Sequence, residues 1–282
     1  MKTIKRYYAL TKPGLIYGNL LSAIGGFFLG AGVLDTATLL ATIVGLFLVI
    51  ASGCVCNNYI DREIDTRMER TQHRALPAKE ISPKQALWFA TALLLVGSSI
   101  LFLYTNPLAL SAALFGFVTY VFIYSFAKHK TPYALHLGAI SGAMPPVVGY
   151  SAATHTIDLT CLLLFAVLFA WQIPHFLSIS LFRKDEYRAA KVPVWPIAKG
   201  NANTKRHIAL YTELFFFCLC VLLFTIGARF GYSVAVVAFG WLLYAIFGFF
   251  GGTPGWARGM FYYSLAILLL LCGALILHRW II

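Results

Sequence analysis

Charge is what this chain lacks. Only 11% of its 282 residues are Asp, Glu, Lys or Arg, against roughly 25% in an ordinary soluble domain. With 60% hydrophobic residues, that deficit excludes a soluble globular fold. A disulfide framework is missing too. The six Cys (Cys54, Cys56, Cys161, Cys218, Cys220 and Cys272) all lie in apolar runs, Cys54-Val55-Cys56 has the wrong spacing for a zinc knuckle, and all six are expected to be buried small hydrophobes. No linker or low-complexity tract interrupts the chain, so residues 1–282 are expected to form one domain. A cleavable signal peptide is not expected either. The basic opening ends in Thr11-Lys12-Pro13-Gly14, and the apolar segment after it is long enough to span and has no small-residue cleavage site. With no transit peptide, a bacterial plasma membrane is expected rather than an organelle.

What the chain has is long apolar runs. Runs near the roughly 20 residues needed to cross a bilayer fall at 15–33, 38–57, 86–103, 107–126, 133–153, 160–182, 209–228, 232–250 and 260–278. The expected fold is all-α: nine transmembrane helices bundled around a central cavity in a lipid bilayer, capped by polar loops. Of 22 Lys and Arg, 20 fall in the N-terminus and the loops after the even-numbered spans; only Arg229 and Arg279 fall on the other side. The positive-inside rule makes the first side cytoplasmic, N-terminus included, and puts the C-terminus on the outer side. The net charge of +12 is then a topology signal, and nucleic-acid binding is a poor explanation for charges confined to short loops.

The few acids are concentrated. Seven of the ten (Asp61, Glu63, Asp65, Glu69, Glu80, Asp185 and Glu186) sit in two cytoplasmic segments that are also rich in Arg and Lys. In the first, Asn57, Asp61 and Asp65 recur every four residues, which on a helix puts a carboxamide and two carboxylates on nearly one face. Acids at the rim of a span are expensive to desolvate and add nothing to packing. They suit a hard divalent cation carrying a polyanion, with Arg and Lys left for the remaining phosphate oxygens. The plain alternative is a solvated helix end, to which Asp65, the most cytoplasmic of the trio, is the most open. In the second segment, Pro174 inside a span removes a backbone hydrogen bond and is expected to kink the helix and turn His175 toward a cavity. His175 is a satisfied core imidazole, an axial ligand to haem iron, a proton carrier or a substrate's hydrogen-bond partner. His136 reads as core packing or a water contact, and His73 and His129 as solvated loop residues.

Several strings resemble a known family. Asn57-x3-Asp61-x3-Asp65, followed by Met68-Glu69-Arg70-Thr71-x2-Arg74, is similar to the first aspartate-rich motif of the intramembrane prenyltransferases related to 4-hydroxybenzoate polyprenyltransferase. Tyr124-x3-Lys128 resembles the same group's Tyr-x3-Lys element. Thr11-Lys12-Pro13-Gly14, the run Gly142 to Tyr150, Trp171-Gln172-x-Pro174-His175 and Tyr187-x2-Ala190-x-Val192-Pro193 are similar to one branch, the protohaem IX farnesyltransferases or haem O synthases. In that branch Asp usually precedes the Tyr of the second motif; here Glu186 does, with Asp185 before it.

The resemblance implies a Mg2+-dependent enzyme that moves the farnesyl group of farnesyl diphosphate onto a vinyl group of haem B. Asn57, Asp61 and Asp65 would hold one Mg2+, and Glu186 or Asp185 a second. Arg70, Arg74, Lys12 and Lys128 would meet phosphate oxygens, Tyr124 and Tyr187 would orient the leaving group unless they are interface anchors, and His175 and Trp171 would lie on the haem side. Haem A synthase and terminal-oxidase subunits are the candidate protein partners. A sibling prenyltransferase with another aromatic acceptor and a non-enzymatic carrier are the alternative readings.

Overall fold

A computed structural model describes residues 2–227, 231–251 and 255–281, with the side chains of Lys2, Arg279, Trp280 and Ile281 excepted. Arg229, one of the two basic residues assigned to the outer side, lies outside the described residues. The chain runs α1 (Lys2–Leu10), α2 (Pro13–Gly30), α3 (Thr36–Asp65), α4 (Pro83–Tyr104), α5 (Pro107–Ala127), α6 (Ala134–Gly142), α7 (Met144–Thr154), α8 (Leu159–Phe182), α9 (Lys184–Ala189), α10 (Trp195–Ala198), α11 (Asn201–Thr225), α12 (Tyr232–Phe250) and α13 (Trp256–Ile281). It is an all-α membrane bundle.

Helix starts follow from capping chemistry. Asp35 and Asp158, acids outside the two charged segments, accept hydrogen bonds from the backbone N–H of Ala37 and Cys161, each at 3.0 Å. Ser82 and Gln85 form a reciprocal capping box ahead of α4, whose first residue is Pro83, a position where the missing N–H costs nothing.

Among the described residues, eight helices are long and apolar enough to cross a membrane. The remaining expected span, 133–153, is two shorter helices, α6 and α7, joined at Ala143. Pro145 and Pro146 lack the N–H groups that would continue the ladder from Ser141 and Gly142. Ala143 itself keeps near-helical dihedrals (φ −87°, ψ −5°). At about 1.5 Å per residue, α6 and α7 together match a hydrocarbon core of about 30 Å. Pro174 does not interrupt α8, whose helix runs unbroken through it.

Helices in lipid gain little from hiding apolar surface from one another, so close backbone approach carries their packing. At Gly149 an added Cβ would fall 1.8 Å from the carbonyl oxygen of Ala23, so α7 and α2 meet backbone to backbone; Gly97 and Gly45 bring α4 and α3 together in the same way. Outward faces carry Trp88, Leu103, Phe224 and Phe250. The cysteines depart from expectation. Cys54, Cys161 and Cys272 are buried, but Cys56 and Cys218 are half-buried and Cys220 is exposed on the outer wall of α11, where lipid can cover an apolar thiol as well as protein can.

Candidate active site

Helix α3 does not stop where its apolar run ends. It continues to Asp65, and its four-residue spacing sets Asn57, Asp61 and Asp65 along one wall of a cavity of about 290 Å³. All three are buried, at 2%, 7% and 5% exposed. Asp65, expected to be the most solvated, is therefore not. The burial is possible because each member has a cationic partner. Lys12 Nζ donates to Asn57 Oδ1. Lys128 Nζ lies 2.5 Å from Asp61 Oδ2, and His129 Nε2 lies 3.0 Å from Asp61 Oδ1. Arg74 Nη1 donates to Asp65 Oδ2 at 2.8 Å.

Opposite α3, the last part of α5 is wound as a π-helix over Thr119–Tyr124. The wider turn carries Tyr120, Tyr124 and Lys128 to the cavity, with the two tyrosine rings stacked 5.5 Å apart. It also exposes a carbonyl. Ser125 donates its hydroxyl to Tyr120 O and accepts from Asn57 Nδ2, both at 2.9 Å, so the irregular helix and the first motif are tied together. π-turns inside α-helices occur frequently at functional sites.

Lys12 sits in a left-handed backbone conformation (φ 55°) just before α2, and burial pulls its ammonium down to about 8. Tyr187 lines the cavity from α9. Burial pushes its phenol up, which keeps it a neutral hydrogen-bond donor. Arg70 lines the cavity too, and its Nε lies 3.8 Å from Glu186 Oε2. That contact links the two acidic segments. Asp185 points elsewhere: its side chain is 92% exposed and pairs with Arg188.

A second cavity of about 130 Å³ adjoins the first and shares Leu15, Tyr120, Gly138 and Phe176 with it. Its other walls include Leu46, Val49, Phe117 and Val148, so it is an apolar chamber opening beside a charged one.

Residues 19–265, most of the chain, match the UbiA prenyltransferase family. The chain belongs to the UbiA prenyltransferase family. Within this family it is similar to a protoheme IX farnesyltransferase of Sodalis glossinidius (strain morsitans), 45% identical over 270 residues that cover 93% of this chain and 90% of the relative. A digeranylgeranylglyceryl phosphate synthase has the same fold, with a TM-score of 0.83 at 18% identity and all of both chains covered. So does a UbiA homolog from Archaeoglobus fulgidus solved bound to GPP and Mg2+, with a TM-score of 0.68 at 15% identity over 96% of this chain and 99% of that one.

The charged cavity presents two carboxylates and a carboxamide on one wall, Asp61, Asp65 and Asn57. No group of three or more His, Cys, Asp or Glu is placed to hold a metal ion among the described residues, so these side chains alone would supply only part of a cation's ligands. Such an open set of hard oxygen donors fits Mg2+, which keeps several waters and is commonly shared between one or two carboxylates and a phosphate.

Other candidate residues have partners away from the two cavities. Trp171 and His175 do not line either cavity. Trp171 Nε1 donates to the carbonyl of Ser264 at 2.9 Å, and His175 Nδ1 lies 2.7 Å from the Ser264 hydroxyl, so both tie α8 to α13. His136 Nε2 lies 2.9 Å from the Tyr211 hydroxyl. His129, read from sequence as solvated, is instead held by Asp61. Its neighbour Lys128 belongs to a recognisable motif, but nothing in the local sequence shows that the next side chain turns the same way. Tyr120 and Ser125 were also missed, because only the π-turn brings them to the site.

Proposed function

We propose that this chain transfers the farnesyl group of farnesyl diphosphate to a vinyl group of haem B, giving haem O and diphosphate. In this reaction the C1–O bond of the donor breaks and its electron pair leaves with diphosphate. The vinyl π electrons of haem form the new C–C bond to the allylic carbon. Water then adds to the carbon next to the porphyrin and loses a proton, leaving a hydroxyethylfarnesyl side chain. The single observation that carries the reading is the pairing of chambers: an apolar cavity able to take a prenyl tail opens directly beside one lined by carboxylates and cations. The protoheme IX farnesyltransferase relatives support farnesyl as donor and haem B as acceptor.

Asn57, Asp61 and Asp65 would hold Mg2+, with Glu186 approaching from the second segment; the ion would supply positive charge to the departing diphosphate. Lys12, Lys128, Arg70 and Arg74 would take up its oxygens, the Lys and Arg heads exchanging their carboxylate or carboxamide partners for phosphate. Tyr124 and Tyr187, neutral donors, would orient the leaving group. These donors are held in place before the bond breaks, so they stabilise the developing charge without reorganising. The rings of Tyr120, Tyr124 and Phe176 and the apolar wall around them would shelter the allylic cation from stray water.

We place the chain in a bacterial plasma membrane with the N-terminus and the charged site cytoplasmic and the C-terminus outside, since the substrates' phosphates are met on the side rich in Lys and Arg. Haem A synthase or a terminal-oxidase subunit would receive the product. The deciding experiment supplies the purified protein in vesicles with farnesyl diphosphate, haem B and Mg2+, and reads the porphyrin products by mass spectrometry. The hydroxyethylfarnesyl adduct is expected. Farnesylation of a phenolic acceptor with haem left unchanged would overturn the choice of acceptor.

A further inference from the structure

Asp61 has two carboxylate oxygens and two partners of different kinds. On Oδ2 is Lys128, a point charge at the end of a flexible stem. On Oδ1 is His129, an imidazole with two torsions, its Nε2 at 3.0 Å. The backbone around His129 leaves little freedom: Lys128 N donates to Tyr124 O at 3.0 Å, and Lys130 N and Thr131 N both donate to Ala127 O at 2.9 Å. A carboxylate can only accept, so the proton of the contact is on Nε2. Nδ1 is buried and has no hydrogen-bond partner among the described residues. An unpaired buried polar atom costs free energy. The setting of the ring is therefore not explained by what His129 needs; it satisfies Asp61 at the expense of its own second nitrogen.

We propose that His129 is a positioning residue for the diphosphate site. It commits Asp61 Oδ1 to the imidazole and thereby presents Oδ2, the oxygen now held by Lys128, to a divalent cation. Phosphate oxygens draw Lys128 away, because an ammonium is attracted to them at least as strongly as to Asp61. The His129 ring, on a short stem held by the backbone hydrogen bonds around it, stays. His129 is thus the part of the Asp61 environment that persists when metal and diphosphate enter, and groups of this kind that orient metal-ligating side chains typically alter metal affinity by about 10–100-fold when removed. The proposal rests on the diphosphate reading given above, and nothing in the first aspartate-rich motif or the Tyr-x3-Lys element assigns this residue.

The test uses full-length protein in detergent, Mn2+ as probe and inorganic pyrophosphate in place of the prenyl donor, with free Mn2+ read by electron paramagnetic resonance. His129→Ala is expected to weaken Mn2+ binding by about 10-fold or more. His129→Gln, whose side-chain N–H can reach the same oxygen, is expected to stay within about threefold of wild type, and both variants should keep the wild-type thermal midpoint without metal. Unchanged Mn2+ binding by His129→Ala, beside normal binding by wild type, overturns the proposal. Equal losses in the two variants also overturn it, because they mean the ring is needed for packing rather than for its N–H. A wild-type protein that binds no Mn2+ with pyrophosphate removes the diphosphate reading itself, and His129's role with it.

Discussion

Lys128 and Asp61 stand 67 residues apart in the chain and 2.5 Å apart in the fold. The ion pair joins the end of α5 to the wall of α3 in a place where neither charge is well solvated. It sets a positive charge against a buried carboxylate until something better than an ammonium arrives.

Asp61→Asn should therefore abolish turnover while the protein remains inserted and folded. The change preserves shape but removes the metal-binding charge and leaves Lys128 unpaired. A loss beyond tenfold, which is about 1.4 kcal/mol or more in the barrier, is expected in single-turnover farnesyl transfer at saturating Mg2+. Asp65→Asn should lower the rate less, since Arg74 and the Thr71 hydroxyl still brace that turn. A tenth or more of the wild-type rate in Asp61→Asn would count against Asp61 as a ligand.

The second acidic segment gives an asymmetric expectation. Glu186 pairs with Arg70, which lines the cavity, whereas Asp185 is out in solvent with Arg188. Glu186→Gln should raise the Mg2+ concentration needed for half-maximal rate severalfold, and Asp185→Asn should be nearly silent, exposed ion pairs being worth only about 0–1 kcal/mol. A Mg2+ titration of both variants decides it, the reverse pattern meaning that the wrong acid has been assigned.

Gly53 tests the apolar chamber as the tail site. A Cβ there meets Tyr120 and Phe117 at ordinary distances of 3.4 and 3.5 Å, so Ala should be accepted, while the longer side chain of Gly53→Leu projects into the chamber. Gly53→Leu is expected to raise KM for farnesyl diphosphate about tenfold while changing that for geranyl diphosphate little, a pocket-size discrimination worth about 1–3 kcal/mol. Equal effects on the two donors would place the tail elsewhere.

Helix packing makes the fourth prediction. Gly149→Val would drive a side chain into the Ala23 carbonyl of α2, whereas nothing lies within 4 Å of a Cβ at Gly14. Overpacking costs about 1–3 kcal/mol, so Gly149→Val should lower the thermal midpoint in detergent by several degrees and Gly14→Ala should not. Matched midpoints would show that α2 and α7 can separate at no cost.

The membrane class and the helical fold were legible in the sequence, because a bilayer imposes its requirement locally: each span must be apolar over its own length and satisfy its own backbone. The first motif was legible for a similar reason, since a four-residue repeat on a helix places Asn57, Asp61 and Asp65 together whatever surrounds them. What Pro145 and Pro146 do to the expected span at 133–153 depended on helices packing around the break. Likewise, Asp65 became buried only because Arg74 folds back to it, and Trp171 and His175 were claimed by Ser264 of α13, 93 and 89 residues away. The partners of Asp61 were the least legible of all. Local periodicity says which face a residue occupies, but the π-turn that sets α5's rotation, and with it Lys128 and His129 against Asp61, is braced by a bond from Asn57 to Ser125, 68 residues apart in the chain.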